Sequence, residues 1–302
     1  MCFRKIFRSS RRSKTESSSG VNNLKEDKEE DNENLQSIDG ELRGSKNLKR
    51  VIAIANQKGG VGKSTTAVNM SGYLGDLGFK TLIIDFDPQS NSTSGLGIDK
   101  DKIKTSIYDV IINNTDPKKA IIKTDYKNLY IIPSSIQLAG AEVEMVSSMK
   151  REYKLKNVID AVKDGFDFVI IDCPPALSLL TINALTGAGE VLIPIQCEYY
   201  ALEGLGQLIN TIDLIKQNLN DRLKITGVVM TMFDQRTKLS EQVIEEVREY
   251  FPDKVYNTII PRNIRLSEAP SYGKPIIDYD PNCKGADAYR RLTEEVIGHG
   301  SK

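Results

Sequence analysis

This 302-residue chain has one histidine, four cysteines and no net charge, with 41 basic and 41 acidic residues. The histidine, His299, lies in the polar stretch "GHGSK", so histidine-based catalysis or metal binding is not expected. Cys2, Cys173, Cys197 and Cys283 are widely scattered and show neither zinc nor disulfide-framework spacing, which fits a reduced cytoplasm. A balanced charge excludes a uniformly basic nucleic-acid binder, so any contact with DNA must come from a local patch. No apolar run approaches the ~18 residues of a membrane span, and the N-terminus lacks the apolar core of a secretory signal.

Two regions of different character follow. Residues 1–49 are rich in serine and charge, basic in "MCFRKIFRSSRRSK" and acidic in "KEDKEEDNEN". They contain too little apolar surface to offset the entropy of ordering, so a disordered extension is expected. Phe3, Ile6 and Phe7 have helical spacing among basic residues, the pattern of a short amphipathic turn on an anionic surface, although a solvated basic tail explains it as well. Residues 50–302 are expected to form a single domain. Apolar, β-branched runs at 51–57, 81–87, 128–134, 166–173, 190–196, 225–233 and 257–263 read as strands covered on both faces. Between them lie segments with helical spacing, such as Ala67, Met70, Leu74 and Leu77, or Leu205, Leu208, Ile212 and Ile215. The alternation predicts an α/β fold, a mostly parallel twisted sheet with helices on both faces, and a ligand site at the carboxyl ends of the strands.

The stretch "NQKGGVGKSTTAVN" joins the first strand to a helix. It misses the pattern G-x-x-x-x-G-K-[ST] at one position, where Gln57 stands in place of glycine, and it adds a second lysine, Lys58. Gly59, Gly60 and Gly62 permit close backbone approach, so the N–H groups of Lys58 to Thr65, including that of Val61, can converge on an anion at a helix N-terminus. Lys63 would reach terminal phosphates, Ser64 would ligate magnesium and Thr65 would donate to an inner phosphate. Two strands end in carboxylates, which packing alone rarely explains: "LIIDFDPQ" with Asp85 and Asp87 on one face by alternation, and "FVIIDCPP" with Asp172. Asp172 has the form of a carboxylate that holds magnesium through water.

With these residues in place, "KGGVGKST", "DFDPQSNSTSGLG", "IPSSIQLAGAEVE", "VIIDCPPALSLLTINAL", "PIQCEYYALEGL" and "IPRNIRLSEAPSYGKPI" resemble the ParA/Soj chromosome-partitioning ATPases from about residue 50 to about 297. The resemblance implies a deviant Walker A ATPase with ATP and Mg2+ as cofactors. It implies a nucleotide sandwich homodimer in which Lys58 crosses to the partner's phosphates, a need that follows from two ATP molecules facing each other. It assigns the attacking water to Asp87, support of the magnesium shell or of Lys58 to Asp85, and the adenine surroundings to Pro261 and Asn263. It further implies nucleoid-associated, non-specific DNA binding, with Arg236 and Arg265 at matching positions, and a ParB/Spo0J-type partner. Lys238, Arg262 and Lys274 add local charge, and Arg262 could serve either nucleotide or DNA.

Three other readings fit less well. A MinD-like regulator of division-site placement is the main alternative, but it needs a basic amphipathic C-terminal helix, and "GADAYRRLTEEVIGHGSK" has mixed charge. Iron proteins of the superfamily need cluster-spaced cysteines, and bacterial tyrosine kinases a terminal tyrosine cluster.

Overall fold

The computed structural model describes residues 49–199 and 204–300. The expectations for the N-terminal extension, including the spacing of Phe3, Ile6 and Phe7, lie outside them.

Eight strands form one sheet: β1 (Arg50–Ile54), β2 (Thr81–Asp85), β3 (Ile122–Lys123), β4 (Leu129–Ile132), β5 (Phe168–Asp172), β6 (Glu190–Gln196), β7 (Lys224–Phe233) and β8 (Val255–Pro261). Their order is β3-β4-β2-β5-β1-β6-β7-β8. Every pairing is parallel except β3 with β4. All seven runs read as strands are strands. The antiparallel edge strand β3 has two residues, too few to leave a periodic trace.

The six longer helices are α1 (Lys63–Asp76), α2 (Lys154–Val162), α3 (Leu179–Gly187), α4 (Leu205–Asn218), α5 (Lys238–Tyr250) and α6 (Lys284–Gly300). Strand alternation sorts the core into two layers. Ala53, Ile84, Ile171 and Ile193 share one apolar cluster with Val158, Leu180, Leu208 and Val243 of α2, α3, α4 and α5. On the opposite face Ile52, Ile54, Ile83 and Ile170 are fully buried, in the layer that α1 and α6 cover. Each such side chain contributes about 1.5–3 kcal/mol relative to exposure. Coverage of both faces explains why the strands read as continuous apolar runs.

α6 spends its apolar stripe inward, since Ala286, Tyr289, Leu292, Val296 and Ile297 are all buried. At its far end the sheet is tied to this helix by Arg50, a buried guanidinium that donates to both carboxylate oxygens of Glu190, at 2.9 and 2.7 Å, and to the Val296 carbonyl. No helix among the described residues is long and apolar enough to cross a membrane.

Two glycines distant in sequence meet by backbone alone. Gly97, at φ 74°, follows the short helix Asn91–Gly95, and Gly273, at φ 64°, ends the turn Ala269–Tyr272. A Cβ on Gly273 would lie 2.5 Å from the Gly97 Cα, so no side chain fits there.

Candidate active site

The order of the strands reverses at β1, which has β5 on one side and β6 on the other. A cleft should therefore open at its carboxyl end. β1 stops at Ile54, shorter than the run read from sequence, and Ala55 to Gly62 form the loop that leads into α1. Gly62 takes φ 89° and caps the helix, a conformation that strains any residue with a Cβ. The helix begins at Lys63, so Ser64 and Thr65 lie in its first turn.

The loop borders a cleft of about 360 Å³ lined by Gly59, Gly60, Gly62, Lys63, Ser64, Thr65 and Asp87, with Asn69, Ser94, Pro270 and Lys274 on the remaining walls. A second cleft of about 280 Å³ shares Gly62, Thr65, Met232 and Pro270 with it, and is lined further by Pro261, Arg262 and Asn263. The residues read as phosphate-binding and those read as base-flanking thus border adjoining space. Asn263 also caps the helix Ile264–Glu268, its Oδ1 accepting from the Arg265 N–H at 2.8 Å. Val61 is buried behind the loop, where its carbonyl accepts from the Thr231 hydroxyl at 2.9 Å.

The two lysines of the loop behave differently. Lys63 is buried and its Nζ donates to the Lys58 carbonyl at 2.9 Å, across the mouth of the loop. Burial pulls its pKa down, opposed by the charges of Asp172 and Asp87 and by Cys173. Lys58 is not among the lining residues of either cleft; its ammonium pairs with Glu198. Among the described residues no hydrogen bond or ion pair joins it to Asp85.

Asp85 and Asp172 close adjacent strands in register and are both fully buried. Strand β2 ends at Asp85, so Asp87 lies beyond it in the turn. Strand alternation therefore does not place Asp87; its N–H donates instead to Asp85 Oδ1 at 3.3 Å, and its own carboxylate accepts from the Gln89 N–H at 2.9 Å. Asp85 Oδ2 accepts from Thr93 twice, from the N–H at 2.7 Å and the hydroxyl at 2.6 Å. Asp172 Oδ2 accepts from the Ser92 hydroxyl at 2.7 Å, while its Oδ1 has no hydrogen-bond partner among the described residues. Burial pushes the pKa of Asp85 up, with the charge of Asp172 acting in the same direction and the Thr93 bonds opposing. Burial likewise raises Asp172 against the hydroxyls of Ser92 and Ser64. Burial also raises Asp87.

An open, buried carboxylate oxygen beside a loop hydroxyl is the donor set that fits a hydrated divalent cation bound to phosphate. Among the described residues no three His, Cys, Asp or Glu side chains cluster to hold a metal by themselves. Cys173 and Cys197 are buried free thiols whose pKa burial raises, which makes them packing residues.

Arg236 and Arg265 line neither cleft, and each is held in ion pairs at the surface. Arg236 donates to both oxygens of Asp234, at 2.9 and 2.7 Å, and Arg265 pairs with Glu268 at 3.0 Å and Asp280 at 3.3 Å. Sequence reasoning did not single out Ser92, Thr93 or Glu198. The run of small hydroxyl residues after Asp87 was the available signal for the first two.

Residues 49–225 match a family model described as an AAA domain. The sporulation initiation inhibitor protein Soj of Bacillus subtilis is 56% identical over 84% of this chain and 100% of its own length. The chromosome partitioning protein ParA of Caulobacter vibrioides (strain NA1000 / CB15N) is 49% identical over 84% of this chain and 96% of its own. Among solved structures, cobyrinic acid a,c-diamide synthase from Mycobacterium smegmatis, with bound ATP analog and magnesium, aligns with a TM-score of 0.75 at 38% identity, covering 83% of this chain and 94% of that one. With a phosphate-binding loop at the switch point of a mostly parallel sheet and this extent of identity, the chain belongs to the Soj/ParA family of chromosome-partitioning ATPases.

Proposed function

We propose that this chain is an ATP-operated DNA partition switch. ATP with Mg2+ occupies the paired clefts, two copies close into a sandwich dimer, and the dimer holds nucleoid DNA without sequence preference. A ParB/Spo0J-type centromere-binding partner then stimulates hydrolysis and release. The observation that carries the reading is the division of labour between the loop lysines. Lys63 lines the cleft of its own chain, while Lys58 lines neither cleft, which supports a role toward a nucleotide held by a second copy.

Within one subunit, the N–H groups of Lys58 to Thr65 and the Lys63 ammonium hold the phosphates, and Pro261 and Asn263 flank the base. Ser64 would hold magnesium directly and Asp172 through water, with Asp85 behind them; the cation, when bound, neutralises phosphate charge. Asp87 orients the attacking water from the cleft wall. A second Lys58 at each nucleotide offsets the repulsion of two facing triphosphates.

Arg236 and Arg265 provide the DNA contacts. Their present partners are surface carboxylates, and exposed pairs of this kind are screened by water, so exchange for a DNA phosphate costs little. The MinD-like alternative finds no support in α6, whose apolar residues are buried against the sheet. An ATPase assay with DNA and the cognate partner, separately and together, tests the reading. Synergy between the two is expected, and stimulation by anionic lipid in their place would overturn it.

A further inference from the structure

Ser92 and Thr93 are consecutive residues of the short helix Asn91–Gly95, and each holds one carboxylate of the adjacent strand ends. They leave those carboxylates in different states. Both oxygens of Asp85 are occupied by protein donors, namely Thr93 twice and the Asp87 N–H. Asp172 has Oδ2 closed by Ser92, while among the described residues its buried Oδ1 has no hydrogen-bond partner, with the Ser64 hydroxyl beside the carboxylate. An open carboxylate oxygen at complete burial costs the full desolvation of that atom, a state that persists where another contact completes it.

We propose that Ser92 is a positioning residue for nucleotide-bound magnesium: its hydroxyl closes Oδ2 of Asp172 and so fixes the carboxylate rotation that presents Oδ1 to the cation's water. The inference rests on the magnesium role given above to Asp172. Ser92 itself is fully buried and does not line the cleft, although its neighbours Asn91, Ser94 and Gly95 do. It therefore acts through Asp172 rather than on the nucleotide. A carboxylate released from this bond can turn about its Cβ–Cγ axis and offer either oxygen, or neither, in the required direction. The geometry also ties Asp172 to the segment that carries Asp87, because Asp87, Ser92 and Thr93 belong to one continuous turn and helix.

The test is fluorescent nucleotide binding to the full-length chain, with a magnesium titration and a parallel measurement in EDTA. Ser92→Ala is expected to leave affinity in EDTA within about twofold of wild type. It is expected to raise the magnesium concentration for half-maximal effect by about 10–100-fold, the usual range for loss of a partner behind a metal ligand. Ser92→Thr should restore the wild-type value. Ser92→Cys, of similar size with a weaker donor, should fall between and serves if the alanine variant does not fold. An unchanged magnesium midpoint in Ser92→Ala or Ser92→Cys overturns the proposal, and so does an equal loss of affinity with and without magnesium, which marks a packing role. A wild-type chain whose nucleotide binding ignores magnesium overturns the underlying reading, and the proposal with it.

Discussion

The Lys58 ammonium is paired with the Glu198 carboxylate of the same chain, outside the cleft that its own loop builds. Both partners are about a third exposed, at 35% and 39%, so the pair is screened and contributes about 0–1 kcal/mol. Within a monomer this contact occupies the charge that the proposed dimer needs. Glu198→Gln is expected to leave the melting temperature within about 2 °C of wild type. It should lower the ATP concentration for half-maximal dimerisation by up to about fivefold, the equivalent of releasing such a pair. Light scattering against ATP concentration checks this, and a weaker dimer would count against the arrangement.

The loop lysines should separate by phenotype. Lys63→Ala is expected to lose nucleotide binding, because a buried ammonium at the cleft wall has no substitute. Lys58→Ala should bind ATP with near wild-type affinity and remain monomeric. Fluorescent nucleotide titration combined with light scattering distinguishes them, and a Lys58→Ala protein that dimerises normally would remove the cross-subunit role.

Asp87 accepts from the Gln89 N–H and lines the cleft, whereas Asp85 and Asp172 lie fully buried below. Asp87→Ala is therefore expected to fold, bind ATP and persist as a DNA-bound dimer, with turnover reduced at least about 100-fold if the carboxylate orients the attacking water. Filter binding with an ATPase assay provides the check. Ordinary hydrolysis by this variant would sink the mechanism.

The Arg50–Glu190 pair sets an acid limit on stability. Burial pushes the Glu190 carboxyl up, but the Arg50 hydrogen bonds and charge outweigh it and hold the pKa below the ordinary value. A carboxyl depressed in the folded state contributes fully above its unfolded pKa of about 4.3, and that contribution is lost as pH falls through the folded value. Glu190→Gln removes one partner of a buried pair and should cost about 3–5 kcal/mol at pH 7. The difference from wild type should shrink below about pH 4, as wild type loses the same contribution. Urea melts at pH 7 and at pH 3.5 measure both values, and a pH-independent difference would refute the assignment.

Much of the nucleotide site was legible because each part leaves a local trace. Gly59 to Ser64 form one short motif, and Asp172 ends an apolar run that no solvent-facing strand would have. The face of Asp87 was misjudged because the apolar pattern of 81–87 does not mark where β2 stops, and Pro88 lies three residues beyond the last pairing. Ser92, Thr93 and Glu198 were not singled out for a different reason. Their partners are eight or more positions away, and small hydroxyls or single glutamates are ordinary in loops. The strand β3 was missed because two residues carry no period.

The meeting of Gly97 and Gly273 bears on when the site comes into being. Synthesis delivers the phosphate loop, Asp87 and Asp172 early, but Pro270, Lys274 and the glycine that seats against Gly97 come near the end of the chain. Contacts so far apart in sequence form only after the intervening chain has been ordered. Until that turn is made, the cleft lacks the wall that Pro270 and Lys274 supply. A chain truncated before Gly273 would carry the whole signature loop and still lack both Lys274 and the seat against Gly97.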